Sequence, residues 1–173
     1  MELLKGLLTR RSIRKYTGEN VTREQIDTII EAAMYAPSAV DKQPWHFIVF
    51  SDKKTIEGVI ALNKNAWMLE QAAIGILVCY DETLHHGPGY GPVDCSAATQ
   101  NLLLAAHGLG LGAVWVGVYP RQDRIEGIGR LFNLPENVKP FSIVSIGYPA
   151  EHKNQPQRFK KDRIHYENGK LSL

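Results

Sequence analysis

Apolar residues recur along this chain with two periods, and the changes of period mark its elements. Leu3, Leu4, Leu7 and Leu8 fall on one side of a helix predicted over residues 2–9. Thr22 with Gln25 three positions later is a capping-box pair, and Ile26, Ile29, Ile30 and Ala33 continue as a helical stripe that Pro37 stops. HFIVF, after Trp45, predicts a strand in a central position. Lys53 to Leu62 predicts a third helix, and Met68 to Ala73 a short one. AIGILVCYD, residues 73–81, is a second strong strand, followed by the Gly- and Pro-rich loop ETLHHGPGYGPV.

The longest predicted helix is DCSAATQNLLLAAHGL, Asp94 to Leu109. Its Ala97, Ala98, Ala105 and Ala106 permit close packing on both sides, which suits a central helix. Gly108, Gly110 and Gly112 then turn the chain. AVWVGVY is a third strand or an extended loop, Arg121 to Leu131 is helical, and PFSIVSIGYP, residues 140–149, is a strand ending in a turn. From Glu151 the chain is polar and basic, with only Phe159, Ile164, Tyr166, Leu171 and Leu173 as large apolar residues, so it reads as a tail wrapping over a surface, its own or a partner's. Interleaved strands and helices mean a mixed α/β or α+β class.

A length of 173 residues suits one domain with a sizeable core. Lysine and arginine total 20 against 18 acidic residues, so any important positive charge is local, and a nucleic-acid surface is not expected. The 2 cysteines, Cys79 and Cys95, stand in apolar or small-residue surroundings and are expected to be buried, unpaired thiols. Lys5, Arg10 and Arg11 interrupt the early apolar residues, so no secretory leader is expected. No apolar stretch is long enough for a membrane span, and a reducing cytoplasm is the expected location.

Two polar segments carry candidate chemistry. LLTRRSIRKY places Arg10, Arg11 and Arg14 around Ser12. Guanidinium forks suit phosphate, carboxylate or a delocalised anion, and in an extended segment Arg10, Ser12 and Arg14 share a face. APSAVDKQPW holds Ser38 and Asp41 in a loop shaped by Pro37 and Pro44, beside the flat surface of Trp45. Each segment also has a structural explanation: basic residues at a helix end, and a Ser or Asx turn above a core tryptophan. His85, His86, Asp94 and Cys95 include zinc-ligand types, but adjacent histidines point poorly at one ion, and no metal is expected. His107 reads as a packed or interface histidine, and no serine sits in a pattern that would activate it.

RRSIRKY, APSAVDKQPWHF, DCSAATQNLLLAAHGLGLGAVW and SIGYPAE, in that order, resemble the nitroreductase family of FMN-dependent oxidoreductases, in its short form. The resemblance implies an α+β fold with a mixed central sheet surrounded by helices. It implies one domain over residues 1–173, with 151–173 as a C-terminal arm exchanged in an intertwined homodimer. Two FMN molecules would lie at the interface, each touched by both subunits. Arg10 then matches a position at the phosphate or ribityl chain, Ser12 one at the ribityl or pyrimidine side, and Arg14 one near N1 and O2 of the ring; Arg11 lies beside them. Pro37, Ser38 and Ala39 match a loop contributed by the other subunit. Asp41 stands where relatives often carry Asn, and Gln43 could donate to the ring or orient the loop. Among Asn63, Lys64 and Asn65, Lys64 is the choice for a further contact; Trp67 stands where some relatives carry lysine. Val116 and Gly117 match backbone near the N5 edge. Arg158, before Lys160, matches the late basic residue at the phosphate.

The implied function is hydride transfer from NAD(P)H through flavin N5 to nitroaromatic, quinone or similar acceptors by a ping-pong mechanism, with no covalent nucleophile. His85, His86 and Tyr90 could touch the acceptor. The alternatives are a protein that stores, senses or modifies flavin, and a structural protein whose arginines only form a dimer surface.

Overall fold

The computed structural model describes residues 2–166. Leu171 and Leu173 of the expected tail lie outside the described residues. Helices α1 (Leu3–Thr9) and α2 (Arg23–Met34) precede strand β1 (Trp45–Phe50). Then come α3 (Lys53–Leu62), β2 (Ile74–Asp81), α4 (Tyr90–Gly108), β3 (Gly112–Gly117), α5 (Gln122–Leu131) and β4 (Val138–Gly147).

The strand order is β1-β2-β4-β3, with every pair of strands antiparallel, so β1 is an edge strand and not the central one expected. The parallel component is one bridge, Ser12 to Ala113, outside the named strands. Residues of β2 alternate between two cores: Ile76 and Val78 join α2 and α4 on one face, while Leu77 and Cys79 join α3 and α5 on the other. Burial on both faces is why AIGILVCYD has no polar alternation. Cys95, on α4, reaches across only to the main chain and donates its thiol to the Cys79 carbonyl at 3.3 Å. Both thiols are free and buried, and burial alone pushes Cys79 up to about 12.

The Thr22–Gln25 capping box forms reciprocally at the start of α2. α4 is central, as its alanines suggest, packing on α2 and on the sheet. It begins at Tyr90 rather than Asp94, because left-handed Gly89 turns the loop and Pro92 is tolerated in a first turn. The short helix expected over Met68–Ala73 is instead a 3₁₀ segment, Lys64–Glu70, started by the Asn63 side chain, which accepts from the Asn65 amide. β3 stops at Gly117 because the Val118 and Tyr119 amides both turn to the Phe141 carbonyl. β4 starts before Pro140, whose missing N–H coincides with a register shift opposite Val78 and Cys79. No helix is long and apolar enough to cross a membrane among the described residues.

Residues 11–16 are laid down between β3 and the start of the arm. The Ile13 amide donates to the Ala113 carbonyl at 3.0 Å, and Ala150 donates to Lys15 at 2.9 Å. The Arg14 amide donates to Glu151 Oε1 at 2.6 Å, and Lys153 Nζ donates to the Ser12 carbonyl at 2.7 Å. Lys153 also pairs with Glu151 at 3.2 Å. Tyr16 pins the far end in the core, its hydroxyl donating to the Ile13 carbonyl at 2.7 Å. The α1 leucines remain exposed, as does Phe159.

Gly75 faces the Phe50 ring closely enough that a Cβ would collide with it. Gly75→Ala is expected to destabilise by about 1–3 kcal/mol, read as a lower urea midpoint with unchanged slope. Glu151 is partly buried, which opposes ionisation, but the Arg14 amide and Lys153 outweigh this and hold its carboxyl below the usual range. A depressed folded value means that the carboxylate stabilises the fold at neutral pH, and that this is lost as pH falls below the ordinary glutamate value of about 4.3. Glu151→Gln should therefore lower stability at pH 7 and flatten its decline with acid, measured by chemical unfolding at successive pH values.

Candidate active site

The positive charge of the N-terminal segment is divided between two places. Arg10 ends α1 with an extended backbone, so the residues after it leave the helix as a strand-like segment. Burial, then the proximity of Arg158 and Arg11, holds the Arg10 guanidinium below its ordinary value. The same effects, burial first and then Arg10 and Arg11, lower His107, whose Nε2 lies 2.9 Å from Thr9 Oγ1. Thus Arg10, Arg11 and Arg158 gather near one another although 148 positions of sequence separate the first and last.

Arg11 faces its own chain. Its Nε donates to the Asn154 carbonyl at 3.0 Å, and its Nη1 to the Leu8 and Arg10 carbonyls at 3.2 and 2.6 Å. Its Nη2 is buried and has no partner among the described residues. A groove bounded by Leu7, Leu8, Arg11, Gln157, Arg158 and Phe159 opens beside it. Clustered guanidinium groups with an unsatisfied donor fit a phosphate oxygen as acceptor, and a phosphate at that point would relieve their mutual repulsion.

Arg14 belongs to a different place, a cleft of about 310 Å³. Its walls include Arg14, Asn65, Trp67, Trp115, Val116 and Gly117. Arg14 is the one charged side chain there, facing two indoles, an amide and the end of β3. That combination suits a flat, partly polar ring that carries or develops negative charge. A larger cavity of about 790 Å³ lies beyond α5. It holds none of these residues, and its cations Lys139 and Arg130 already pair with Glu82 and Glu126.

Of the three candidates after α3, Asn65 lines the Arg14 cleft and Lys64 does not. The tight 3₁₀ turn sends consecutive side chains in different directions, and Lys64 is exposed. Asn63 is buried and bonded within the fold. Ser12 lies in the bridge to Ala113.

The second polar loop lies against the start of α4. The Ala39 amide donates to Asp94 Oδ1 at 3.0 Å, and the Gln43 amide donates to Ser38 Oγ at 2.9 Å. Gln43 Nε2 donates to Asp41 Oδ1 at 2.8 Å, so these two side chains clasp each other. Val40, Asp41 and Gln43 all have left-handed φ, near +50°, which is uncommon outside glycine and most costly for the β-branched Val40. Pro37 and Val40 are exposed. None of residues 37–43 lines the clefts that hold Arg11 and Arg14. His85 is tied within its own loop, accepting from the Gly87 amide at 3.0 Å, and the His86 ring stands edge-on to Tyr90. Neither histidine lines the Arg14 cleft.

The chain and its fold resemble those of known proteins. The model of the Nitroreductase family matches residues 7–88 and 62–148. A protein of Methanothermobacter thermautotrophicus, provisionally named NADH dehydrogenase/NAD(P)H nitroreductase, is 52% identical over 96% of this chain and 87% of its own. A crystal structure from Parabacteroides distasonis with the same provisional name superposes with a TM-score of 0.91 at 39% identity, covering 95% of this chain and 96% of that one. A provisionally assigned nitroreductase of Desulfovibrio desulfuricans, solved in complex with FMN, superposes with a TM-score of 0.85 at 31% identity, covering 96% and 97%. The chain is a member of the nitroreductase family of FMN-dependent NAD(P)H oxidoreductases, a short single-domain one.

Proposed function

We propose that this protein binds FMN and uses NAD(P)H to reduce a small aromatic, nitroaromatic or quinone acceptor, as a homodimer. The observation that carries the reading is the division of cationic groups: a cluster around Arg10, Arg11 and Arg158, and a lone Arg14 in an aromatic-walled cleft. A phosphate-bearing planar ligand has that same division of charge. The Desulfovibrio relative solved with FMN and the name of the Methanothermobacter relative support the choice of cofactor and reductant.

FMN, when bound, supplies the redox chemistry, accepting a hydride from NAD(P)H and delivering two electrons to the acceptor in a second half-reaction. The chain supplies position and charge. Arg10, Arg158 and the Nη2 of Arg11 would hold the phosphate end. Arg14 offers a fixed cation to negative charge that grows on reduction, so it favours the reduced state over the oxidised one. A charge-assisted bond of this kind contributes about 1.5–3 kcal/mol. Trp67 and Trp115 add flat apolar surface to the lining of the cleft, which suits planar molecules.

The two-subunit reading rests on what one chain leaves unpaired. Residues 37–43 form a rigid, strained, exposed loop away from the arginine clefts, with Val40 70% exposed. Leu3, Leu4, Leu7 and Leu8 lie on α1 with no apolar cover, and Tyr90 and Val93 are exposed at the start of α4. A second copy of the chain would cover these surfaces and bring its own loop, including Pro37, Ser38 and Ala39, to the site. The arm from Glu151 onward would extend that interface.

Purified protein should be yellow, and adding NADH or NADPH without oxygen should bleach it. Bound FMN that neither nicotinamide bleaches would leave a flavin-binding protein without the reductase activity; a protein that takes up no FMN would favour a structural role. Arg10→Ala should weaken FMN binding at least tenfold, the loss expected for a charge-assisted bond of about 1.5 kcal/mol. Arg14→Ala should slow the bleaching more than it weakens FMN binding, measured by flavin fluorescence titration beside stopped-flow absorbance. Light scattering should give a mass near twice 19.4 kDa.

A further inference from the structure

Asn63 is 2% exposed, and a buried amide at the end of a helix has to be accounted for. Its oxygen accepts from the Asn65 amide at 3.2 Å. Its nitrogen donates to the Gly117 carbonyl at 3.2 Å. Asn65 and Gly117 both line the Arg14 cleft, one from the 3₁₀ segment and one from β3, so one side chain ties these two parts of its lining together. The same Gly117 carbonyl accepts a second bond, from Arg124 Nη1 on α5, at 2.9 Å. Arg121, just before that helix, and Arg130 on it pair with Asp123 and Glu126, while Arg124 directs its guanidinium to the carbonyl.

Gly117 needs both bonds. It has no side chain to lock into a core, and a Cβ there would meet nothing nearer than the Tyr119 carbonyl at 3.9 Å. It ends β3, which is the edge of the sheet. Alternation along the strand puts the main-chain groups of Ala113, Trp115 and Gly117 on the outer side. The Ala113 carbonyl is held by the Ile13 amide, and the Gly117 carbonyl by Asn63 and Arg124. Trp115 spans the gap between these two fastenings, along the wall of the cleft.

We infer that Asn63 and Arg124 are positioning residues, which clamp the Gly117 carbonyl and thereby hold the main chain of Trp115–Gly117 in register with Arg14 and Asn65 across the cleft. This rests on the reading of the cleft as the flavin-ring site. Neither side chain needs to touch the ligand. They act by fixing a strand edge that lacks a neighbouring strand and ends in glycine, the residue with the greatest backbone freedom. An ångström of drift at such an edge is enough to lose productive geometry.

The experiment uses Arg124→Met, which keeps the length of the side chain but cannot donate, and Arg124→Lys, which keeps a donor and the charge. Arg124 is only half-buried, so both variants can fold; Asn63→Ala and the Asn63→Ala/Arg124→Met double variant complete the set. FMN affinity of the apoprotein is read by flavin fluorescence, and anaerobic bleaching by NAD(P)H in stopped flow gives the limiting rate and the half-saturating nicotinamide concentration separately. Arg124→Met should weaken FMN binding severalfold and slow the limiting rate about tenfold, with half-saturation unchanged. Arg124→Lys should recover most of both losses. The double variant should lose less than the product of the single losses, because both residues act on one carbonyl.

Arg124→Met with wild-type FMN affinity and limiting rate, and only a lower unfolding temperature, would overturn the inference and leave the proposed function standing. So would losses in the two single variants that simply multiply, or an Arg124→Lys protein as impaired as Arg124→Met. Wild-type protein that takes up no FMN would overturn the proposed function and this inference with it.

Discussion

The segment from Arg10 to Tyr16 has no regular element of its own, and the candidate site depends on its being held straight. Three kinds of contact do this: the Ile13 amide on the edge of β3, the Glu151 and Lys153 side chains reaching from the arm, and the Tyr16 hydroxyl in the core. Because they fall on alternate sides of the segment, Arg14 is turned into the cleft between β3 and the 3₁₀ segment, while Arg11 folds back on the main chain. A similar number of arginines on a free helix face would be solvated and unordered. Here the backbone bonds decide where each charge points.

That fixation brings a repulsion with it. Burial and mutual proximity depress Arg10, and through the same neighbours His107, while one buried guanidinium nitrogen, Nη2 of Arg11, has no acceptor among the described residues. The repulsion lowers fold stability locally, and by linkage an anion bound there would raise the stability of the native state. The left-handed run at Val40, Asp41 and Gln43 is a second local cost, borne by a loop that its own hydrogen bonds keep bent.

Much of the fold was legible in the sequence because the relevant physics is local. The capping box of α2, the apolar run of β2 and the alanines of α4 each specify their element from adjacent residues. The boundaries that moved did so for reasons outside the local pattern, such as left-handed Gly89 before α4 and Phe141 drawing the chain away at the end of β3. Of the residues the family motifs suggest, Arg14, Val116 and Gly117 line one cleft. Asn65 and Lys64 could not be separated by composition, since only the tight turn decides which one faces inward. Asn63 and Arg124 carry no motif: they meet on a carbonyl oxygen, an atom every residue possesses and no sequence pattern reports.

The two cysteines add a chemical consequence. Cys79 and Cys95 lie in the two cores on opposite sides of the sheet, and burial keeps both in the protonated state at ordinary pH. Nucleophilic sulfur requires a thiolate within reach of its target, and neither condition is met. A small electrophile that enters the Arg14 cleft therefore meets no cysteine thiolate to alkylate, because both thiols sit in the cores and neither lines it.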